Sequence, residues 1–126
     1  MNLALKEKES REQTAKCLIP KRGSLVLLKK VLTGATSQAI VVSNDIQNES
    51  SDFILVVPLQ RRTSRLKAPF AVDLGRDDGF RELHAARCDW VSKIAVNKII
   101  AIERASISEE LLEKLDHSLA VALSLT

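Results

Sequence analysis

Residues 86–90 place an arginine and an aspartate two positions apart, directly after the apolar and small residues 83–86. That run predicts a strand, and alternate side chains of a strand lie on the same face. We therefore expect Arg87 and Asp89 to project together, about 7 Å apart along the backbone. A guanidinium beside a carboxylate can hold a phosphate and accept a proton, and it can equally be a structural ion pair. The residues alone leave both interpretations open.

The composition of the 126 residues predicts one ordinary globular domain, because 45% of them are hydrophobic. Two cysteines without CxxC spacing and two histidines favour neither a disulfide scaffold nor a metal site, so we expect no metal and no cofactor. The charged first segment and the lack of a long apolar run predict a cytoplasmic protein without a membrane partner. The net charge of +3 permits an acidic partner.

Short apolar runs separated by turn residues predict β-strands at 24–30, 38–42, 53–57, 69–74, 83–89 and 98–102. We expect the third strand to end at Pro58, because proline cannot donate to a strand ladder. Residues 43–45 can cap one short helical turn. The chain finishes in a helix that Ser106 or Ser108 can cap, with leucines at helical spacing. This order predicts a mainly β, α+β fold, in which an amphipathic helix packs across a small twisted β-barrel or sheet.

Two polar segments lie outside this expected core. Residues 1–19 read as a polar N-terminal extension, with a helix suggested over 3–14, and residues 20–126 form the domain. Residues 60–67 read as a loop with four cations and no acid. Such a loop is either a solvated surface or a grip for phosphates, and beside a phosphate-binding edge we weigh the two equally.

Several motifs occur in an order that resembles a known family. They are Gly23 before an apolar strand, Ile-Val-Val-Ser-Asn-Asp at 40–45, Val-Val-Pro-Leu at 56–59, Ala-Pro-Phe at 68–70, Arg-Cys-Asp at 87–89 and the Glu-Glu-Leu-Leu start of the terminal helix. Over residues 20–126 the chain resembles the MazF/PemK (Kid) toxins of bacterial type II toxin–antitoxin systems. The resemblance implies an SH3-like barrel with a C-terminal helix (PemK/CcdB-like), a homodimer and an antitoxin partner. It also implies metal-independent cleavage of single-stranded RNA at short sequences.

The same resemblance implies roles for individual residues. Arg87 and Asp89 match a catalytic arginine and aspartate of the family. The arginine would hold the phosphate and the aspartate would take the proton of the RNA 2′-OH, which gives 2′,3′-cyclic phosphate and 5′-hydroxyl ends. Thr63 is a further catalytic candidate, since an insertion of two residues would align it with a family hydroxyl that bonds the scissile phosphate. The residues expected to bind RNA are Arg61, Arg62, Ser64, Arg65 and Phe70.

Departures from the family pattern keep other functions open. Residues 33–37 form a shorter first loop than the family has, and Gln38 and Ala39 stand where the MazF-like branch carries an Arg-Pro pair with a catalytic arginine. One alternative is therefore a family member that binds RNA or an antitoxin without cutting. Another comes from the related CcdB toxins, which share the fold and poison DNA gyrase through the C-terminal helix. Arg87 and Asp89 have no role in that mechanism.

Overall fold

The computed structural model describes residues 19–29 and 34–125. The strands in this part of the chain are β1 Leu25–Leu28, β2 Gln38–Val41, β3 Phe53–Arg61, β4 Ala71–Leu74, β5 His84–Arg87, β6 Ser92–Ala95 and β7 Ile99–Arg104. The α-helices are α1 Asp45–Ser50 and α2 Glu109–Ala122, and the 3₁₀ segments are Arg76–Asp78, Cys88–Trp90 and Val96–Lys98. The predicted mainly β fold with a C-terminal helix is confirmed. Residues 1–18 of the expected N-terminal extension, with its suggested helix, lie outside the described residues.

The strands form one antiparallel sheet in the order β4-β5-β3-β2-β1-β7, and β6 also pairs with β3. The long strand β3 is central to this arrangement. Its residues 53–56 pair with β6, residues 56–58 pair with β2 on the other edge, and residues 59–61 pair with β5. β3 therefore joins the part of the sheet that holds β5 to the part that holds β1 and β2.

Two hydrophobic clusters lie on opposite faces of the central strands. Alternation along β3 sends Ile54 and Val56 to one cluster, and Val57 and Leu59 to the other. Helix α2 closes the second cluster, in which its residue Leu115 is fully buried. Because both faces are covered, these strands appear in the sequence as continuous apolar runs.

β3 continues through Pro58 to Arg61, so the prediction that it ends at the proline is wrong. The carbonyl oxygens of Leu55 and Leu59 both accept hydrogen bonds from residues flanking β2, at 2.9 and 2.8 Å. Strand alternation then turns the backbone of Pro58 towards the opposite edge. On that edge the neighbouring chain leaves the ladder in the segment Cys88–Trp90. The N–H that proline lacks is therefore not needed for pairing.

The strand expected over 83–89 ends at Arg87, and a bulge follows it. Residues 57–58 of β3 face residues 87–91, because the pairing resumes only where Ser92 meets Val56. The expectation that Arg87 and Asp89 share one strand face is therefore wrong, since Asp89 lies in the 3₁₀ turn. Strand β6 was not predicted, because the sequence Ser-Lys-Ile-Ala has neither an apolar run nor clear alternation.

Both α-helices begin at capping residues that the sequence indicates. The side chain of Asn44 accepts a hydrogen bond from the backbone of Gln47 at 2.8 Å, and that of Ser108 accepts one from Leu111 at 3.1 Å. Each such cap contributes about 1 kcal/mol. Helix α1 is longer than the single turn expected from residues 43–45. Within residues 19–29 and 34–125, no helix has the length and apolar character needed to cross a membrane.

Candidate active site

Arg87 is the last residue of β5, and the strand register fixes the face on which it lies. It pairs with Ala71 of β4, while Ala85 pairs with Asp73 of β4 and with Gln60 of β3. Directly paired residues of antiparallel strands share a face. These five residues, Gln60, Ala71, Asp73, Ala85 and Arg87, therefore lie together on what we call the Arg87 face. The opposite face is the one that α2 covers.

The Arg87 guanidinium donates hydrogen bonds to two side chains, those of Asp89 and Gln60. Its Nε and Nη2 donate to the two carboxylate oxygens of Asp89 at 2.9 and 2.6 Å, and its Nη1 donates to the side-chain oxygen of Gln60 at 3.0 Å. The Arg87 side chain is 13% exposed and that of Asp89 28% exposed. The geometry is the bidentate arrangement in which a guanidinium binds carboxylates and phosphates most strongly.

Two aromatic rings also contact this guanidinium. Its Cζ lies 3.9 Å from the centroid of the Trp90 ring and 5.6 Å from that of Phe70, within the range of cation–π attraction. Trp90 in turn packs on the turn before β2. A Cβ added at Gly34, which has a φ of +80°, would lie 3.3 Å from the indole. A larger residue in this first loop would therefore disturb the ring that supports Arg87.

The ion pair fixes the charges of both partners. The hydrogen bond from Arg87 holds the pKa of Asp89 below its usual range, although burial acts in the opposite direction. The hydrogen bond to Asp89 likewise raises the pKa of Arg87 above its ordinary value. Both groups are therefore charged at neutral pH. While it stays paired, Asp89 is a weak base.

Cys88, between these two residues, has no part in such chemistry. Its side chain is fully buried on the α2 side of the sheet, where Sγ donates to the carbonyl oxygen of Leu115 at 3.8 Å. Burial raises the pKa of Cys88 to about 12, with smaller contributions from the carboxylates of Asp89 and Asp116. The thiol therefore stays protonated and unreactive.

The cationic loop, residues 62–70, is tied to the Arg87 face by Asp73. Its carboxylate accepts hydrogen bonds from the backbone N–H groups of Leu66 and Lys67, at 2.9 and 3.1 Å. Lys67 has a φ of +52°, which is unfavourable for a residue with a Cβ. Asp73 thus holds the loop in a conformation that the loop backbone alone does not favour.

The cations of this region are divided between the two faces. Arg61 pairs with His84 in the strand register and binds Glu82 at 2.8 Å, on the face opposite Arg87. Arg62 follows it at the start of the loop, and its Nε donates to the carbonyl oxygen of Ser64 at 3.3 Å. Thr63, Ser64 and Arg65 are exposed. Of the residues expected to bind RNA, the structure brings Phe70 into contact with Arg87 and places Arg61 away from it.

The sequence profile of the PemK-like, MazF-like toxins of type II toxin-antitoxin systems matches residues 21–123. The chain belongs to this family. Among curated proteins, no sequence matches it significantly.

Solved structures share the fold of this PemK-like chain at low sequence identity. An endoribonuclease in complex with its cognate antitoxin, from a mycobacterial species, is 20% identical with a TM-score of 0.67, covering 85% of this chain and 97% of that one. The Mycobacterium tuberculosis toxin MazF-mt6 is 13% identical with a TM-score of 0.66, covering 82% and 98%. MazE-MazF (Form-I) from Deinococcus radiodurans is 23% identical with a TM-score of 0.63, covering 83% and 96%. These likenesses confirm the predicted fold.

Gln38, which the resemblance places where the MazF-like branch has an arginine, lies away from the Arg87 face of this PemK-like chain. The amide nitrogen of Gln38 donates to the carboxylate of Glu103 at 3.1 Å. Gln38, Arg61 and His84 line one groove of about 470 Å³ beside the face that α2 covers. The neighbouring Ala39 is fully buried against Pro58 in the register. Gln38 and Ala39 therefore lie away from Arg87 in the described part of the chain.

The sequence does not indicate two residues that contact Arg87, Gln60 and Trp90, or the role of Asp73 in anchoring the loop. Gln60 was assigned to a loop, because ending β3 at Pro58 hides the alternation that puts residue 60 beside Arg87. The sequence predicts neither the contact of Trp90 with the guanidinium nor the hydrogen bonds that Asp73 accepts from the loop. No sequence motif predicts these contacts, because each depends on strand register or on the path of a loop.

Proposed function

We propose that this family member is an endoribonuclease toxin of the cytoplasm that cuts single-stranded RNA, including mRNA, at short sequences. The RNA 2′-OH is the nucleophile, no metal ion takes part, and an antitoxin protein neutralises the enzyme. Family membership supports the toxin role. A solved structure of the same fold, described as an endoribonuclease in complex with its cognate antitoxin, supports the activity and the partner.

The observation that carries the proposal is the Arg87 guanidinium, which contacts the Phe70 and Trp90 rings and has the Asp89 carboxylate on its bidentate edge. A fork of N–H donors at a fixed position suits two oxygens of a phosphodiester as well as those of a carboxylate. In RNA the 2′-OH lies next to that phosphate. A carboxylate beside the bound phosphate is thus placed to take the hydroxyl proton.

The cleavage reaction requires little else from the protein. Arg87 stabilises the negative charge that accumulates on the phosphorane, and Asp89 accepts the 2′-OH proton. Because the substrate contains its own nucleophile and a guanidinium meets the charge, neither a metal-bound hydroxide nor a covalent enzyme intermediate is required. The products are a 2′,3′-cyclic phosphate and a 5′-hydroxyl end.

The loop that Asp73 anchors provides the binding surface for the rest of the RNA strand. Arg62 and Arg65 bring positive charge to the backbone phosphates, and the exposed hydroxyls of Thr63 and Ser64 offer hydrogen bonds to phosphate oxygens. Phe70 contributes through its contact with Arg87. Arg61, which lies on the opposite face with Glu82, contributes least to this surface.

The second candidate function is binding of RNA or antitoxin without cleavage. Two observations favour it: Gln38, which the resemblance places where the MazF-like branch has an arginine, bonds Glu103, and Asp89, the proposed base, is already paired with Arg87. Such a protein would bind single-stranded RNA tightly and in a salt-dependent way, and it would leave the RNA intact.

A cleavage assay with two matched substrates decides between these functions. A long single-stranded RNA of varied sequence is incubated with the protein in EDTA, beside the all-deoxy strand of the same sequence. We expect fragments with cyclic-phosphate and 5′-hydroxyl ends from the RNA alone, and loss of cleavage in Asp89→Asn. The control Asp116→Asn, which removes a carboxylate paired with Arg22 elsewhere on the surface, should cut normally. Intact RNA with wild-type protein at every sequence tested excludes the endoribonuclease.

Self-association belongs to the same proposal. Phe53 and Leu55 are exposed apolar residues that alternate onto the face of β3 that carries Val57 and the helix-covered cluster. Leu123 and Leu125, at and beyond the end of α2, are exposed as well. Light scattering after size exclusion should give a dimer for the wild type, and Leu55→Asp should shift it towards the monomer. A wild-type monomer at high concentration excludes the dimer.

A further inference from the structure

The Asp89 carboxylate occupies the side edge of Arg87, a position at which a guanidinium binds phosphate in bidentate fashion. Its two oxygens accept hydrogen bonds from Nε and Nη2, which together form the side edge of the guanidinium. Phosphate binds this edge in the same bidentate manner as carboxylate. The rings of Trp90 and Phe70 also lie against the guanidinium. An RNA phosphate that uses the side edge must therefore displace Asp89.

The contacts of the two partners indicate which of them moves. Arg87 is fixed from several sides, by Gln60 through Nη1 and by the two rings, and its side chain is 13% exposed. The Asp89 side chain is more exposed, at 28%, and its side-chain partner is Arg87. Asp89 also lies in a three-residue turn outside the sheet ladder. Releasing the carboxylate therefore breaks one ion pair and leaves the guanidinium in position.

We propose that Asp89 is an internal substitute for the substrate phosphate. Its carboxylate occupies the side edge of Arg87 in the free protein, and an RNA phosphodiester displaces it. The displaced carboxylate then becomes the base for the neighbouring 2′-OH. This second step rests on the proposed endoribonuclease function, whereas the displacement itself requires only that a phosphate binds Arg87.

Charge balance limits the free-energy cost of the exchange. One singly charged anion replaces another on the same donors, so Arg87 is never left buried and unpaired. The released carboxylate loses its hydrogen bonds from Arg87 and gains a phosphate anion as neighbour. Both changes raise its affinity for a proton. The pKa of Asp89, which pairing holds low in the free protein, therefore rises when substrate arrives, and the base is strongest when it is needed.

The proposed step balances without a further reagent apart from water. The 2′ oxygen forms a bond to phosphorus as its proton moves to Asp89, and the bond from phosphorus to the 5′ oxygen breaks. A water molecule protonates the departing 5′ oxygen, and the resulting hydroxide takes the proton from Asp89. The enzyme returns to its starting charge, and the carboxylate can pair with Arg87 again once the cyclic phosphate leaves.

If Asp89 competes with phosphate for Arg87, it weakens nucleic-acid binding although it promotes cleavage. A probe that cannot be cleaved measures the effect on binding alone. The probe is a short fluorescein-labelled single-stranded DNA of random sequence, which has no 2′-OH and stays intact. Because Asn competes poorly for the side edge of Arg87, Asp89→Asn should tighten binding about three- to tenfold, as expected when a bidentate, partly exposed ion pair no longer competes.

The matched control is Asp116→Asn. It makes the same change in net charge and also frees an arginine, Arg22, in a pair that is more exposed than Arg87–Asp89. It should change the affinity for the DNA probe less than twofold. Equal tightening in both variants, or no tightening in Asp89→Asn, overturns the proposal.

Wild-type protein gives a second measurement that does not depend on how a variant folds. Carbon-13 NMR of the Asp89 carboxyl, followed against pH, should show a pKa that rises when the DNA probe saturates the protein. An unchanged pKa in the saturated protein overturns the displacement. The RNA assay is a separate test. Displacement without RNA cleavage supports this proposal and refutes the endoribonuclease function. Cleavage without displacement refutes this proposal and supports the endoribonuclease function.

Discussion

Two arginine–aspartate pairs, Arg22–Asp116 and Arg87–Asp89, have the same chemistry and different positions in the chain. The first joins residues 94 positions apart, and so ties the turn before β1 to the middle of α2. Arg22 extends this link by donating from Nε to the carbonyl oxygen of Val42 at 3.2 Å. The second pair joins residues 2 positions apart, on a bulge that leaves the sheet.

The difference separates an ion pair that holds the fold from one that shapes a site. A contact between distant segments restricts the chain and adds to tertiary stability. A contact between near neighbours restricts little, because the unfolded chain already keeps the two groups close. Yet Arg87–Asp89 is the more buried and the better aligned of the two pairs. Its geometry therefore serves the Arg87 face rather than the fold, and the predictions below test that division.

The largest effect should come from removing one arginine of each pair. Arg87→Ala should lower the initial rate of RNA cleavage about 10²–10³-fold, the usual consequence of losing one group that stabilises transition-state charge. Arg22→Ala should keep the rate within about twofold, since it lies outside the site, and should lose about 1 kcal/mol of stability. Rates on a fluorogenic RNA, with urea unfolding of the same samples, make the comparison. A large loss of rate in Arg22→Ala contradicts it.

A third carboxylate, Asp73, resembles Asp116 in holding a segment, and it lies on the same strand face as Arg87. Asp73→Ala leaves the N–H groups of Leu66 and Lys67 without their acceptor. It should lower the free energy of unfolding by about 1–3 kcal/mol and weaken binding of single-stranded DNA. Turnover at saturating RNA should change little, because Arg87 and Asp89 are intact. Asp73→Asn, which keeps one acceptor oxygen, should lose about half as much stability, and equal losses would argue against the anchor.

A smaller effect distinguishes the two aspartates at neutral pH. Asp116→Asn should lower the free energy of unfolding by about 0.5–1 kcal/mol, because it weakens the link between the first turn and α2. Asp89→Asn should lower it by less than about 0.5 kcal/mol, because the strands on either side of the bulge stay paired to β3 without it. Chemical unfolding of both variants under one set of conditions is the measurement. A larger loss in Asp89→Asn would mean that the local pair also supports the fold.

The sequence was informative for features that depend on local pattern. Apolar runs located most strands, and the capping candidates at 43–45 and at Ser106 or Ser108 include the residues that cap the two helices, Asn44 and Ser108. The motif at residues 87–89 identified the pair that the structure brings together. These features are set by residues within one turn or one strand, which is the range over which periodicity and capping act.

Features that depend on long-range register were out of reach. The sequence predicts a strand end at Pro58, because proline lacks the N–H that strand pairing uses. Only the structure shows that the chain opposite Pro58 forms a bulge, where that N–H is not needed. Arg87 and Asp89 were expected to meet through strand alternation, and they meet through a 3₁₀ turn instead. Gln60 follows from the same register: it is 27 residues from Arg87 in the chain, and no local pattern connects them.

The smallest predicted effect is a pH dependence that only the Arg87–Asp89 pair should show. The folded-state pKa of Asp89 lies below its unfolded value because Arg87 hydrogen-bonds the charged form. Such a group stabilises the fold above the unfolded pKa, about pH 4, and the contribution is lost as the pH falls through the folded pKa. The stability difference between wild type and Asp89→Asn should therefore narrow as the pH drops from about 5 towards 3. Urea unfolding across this range measures it, with the same comparison repeated in an Arg87→Gln background. In that background, the difference in free energy of unfolding that Asp89→Asn causes should no longer change with pH, because no guanidinium remains to lower the pKa of Asp89. If the narrowing persisted without Arg87, another group would hold the Asp89 carboxylate, and the side edge of the guanidinium would not be its resting place.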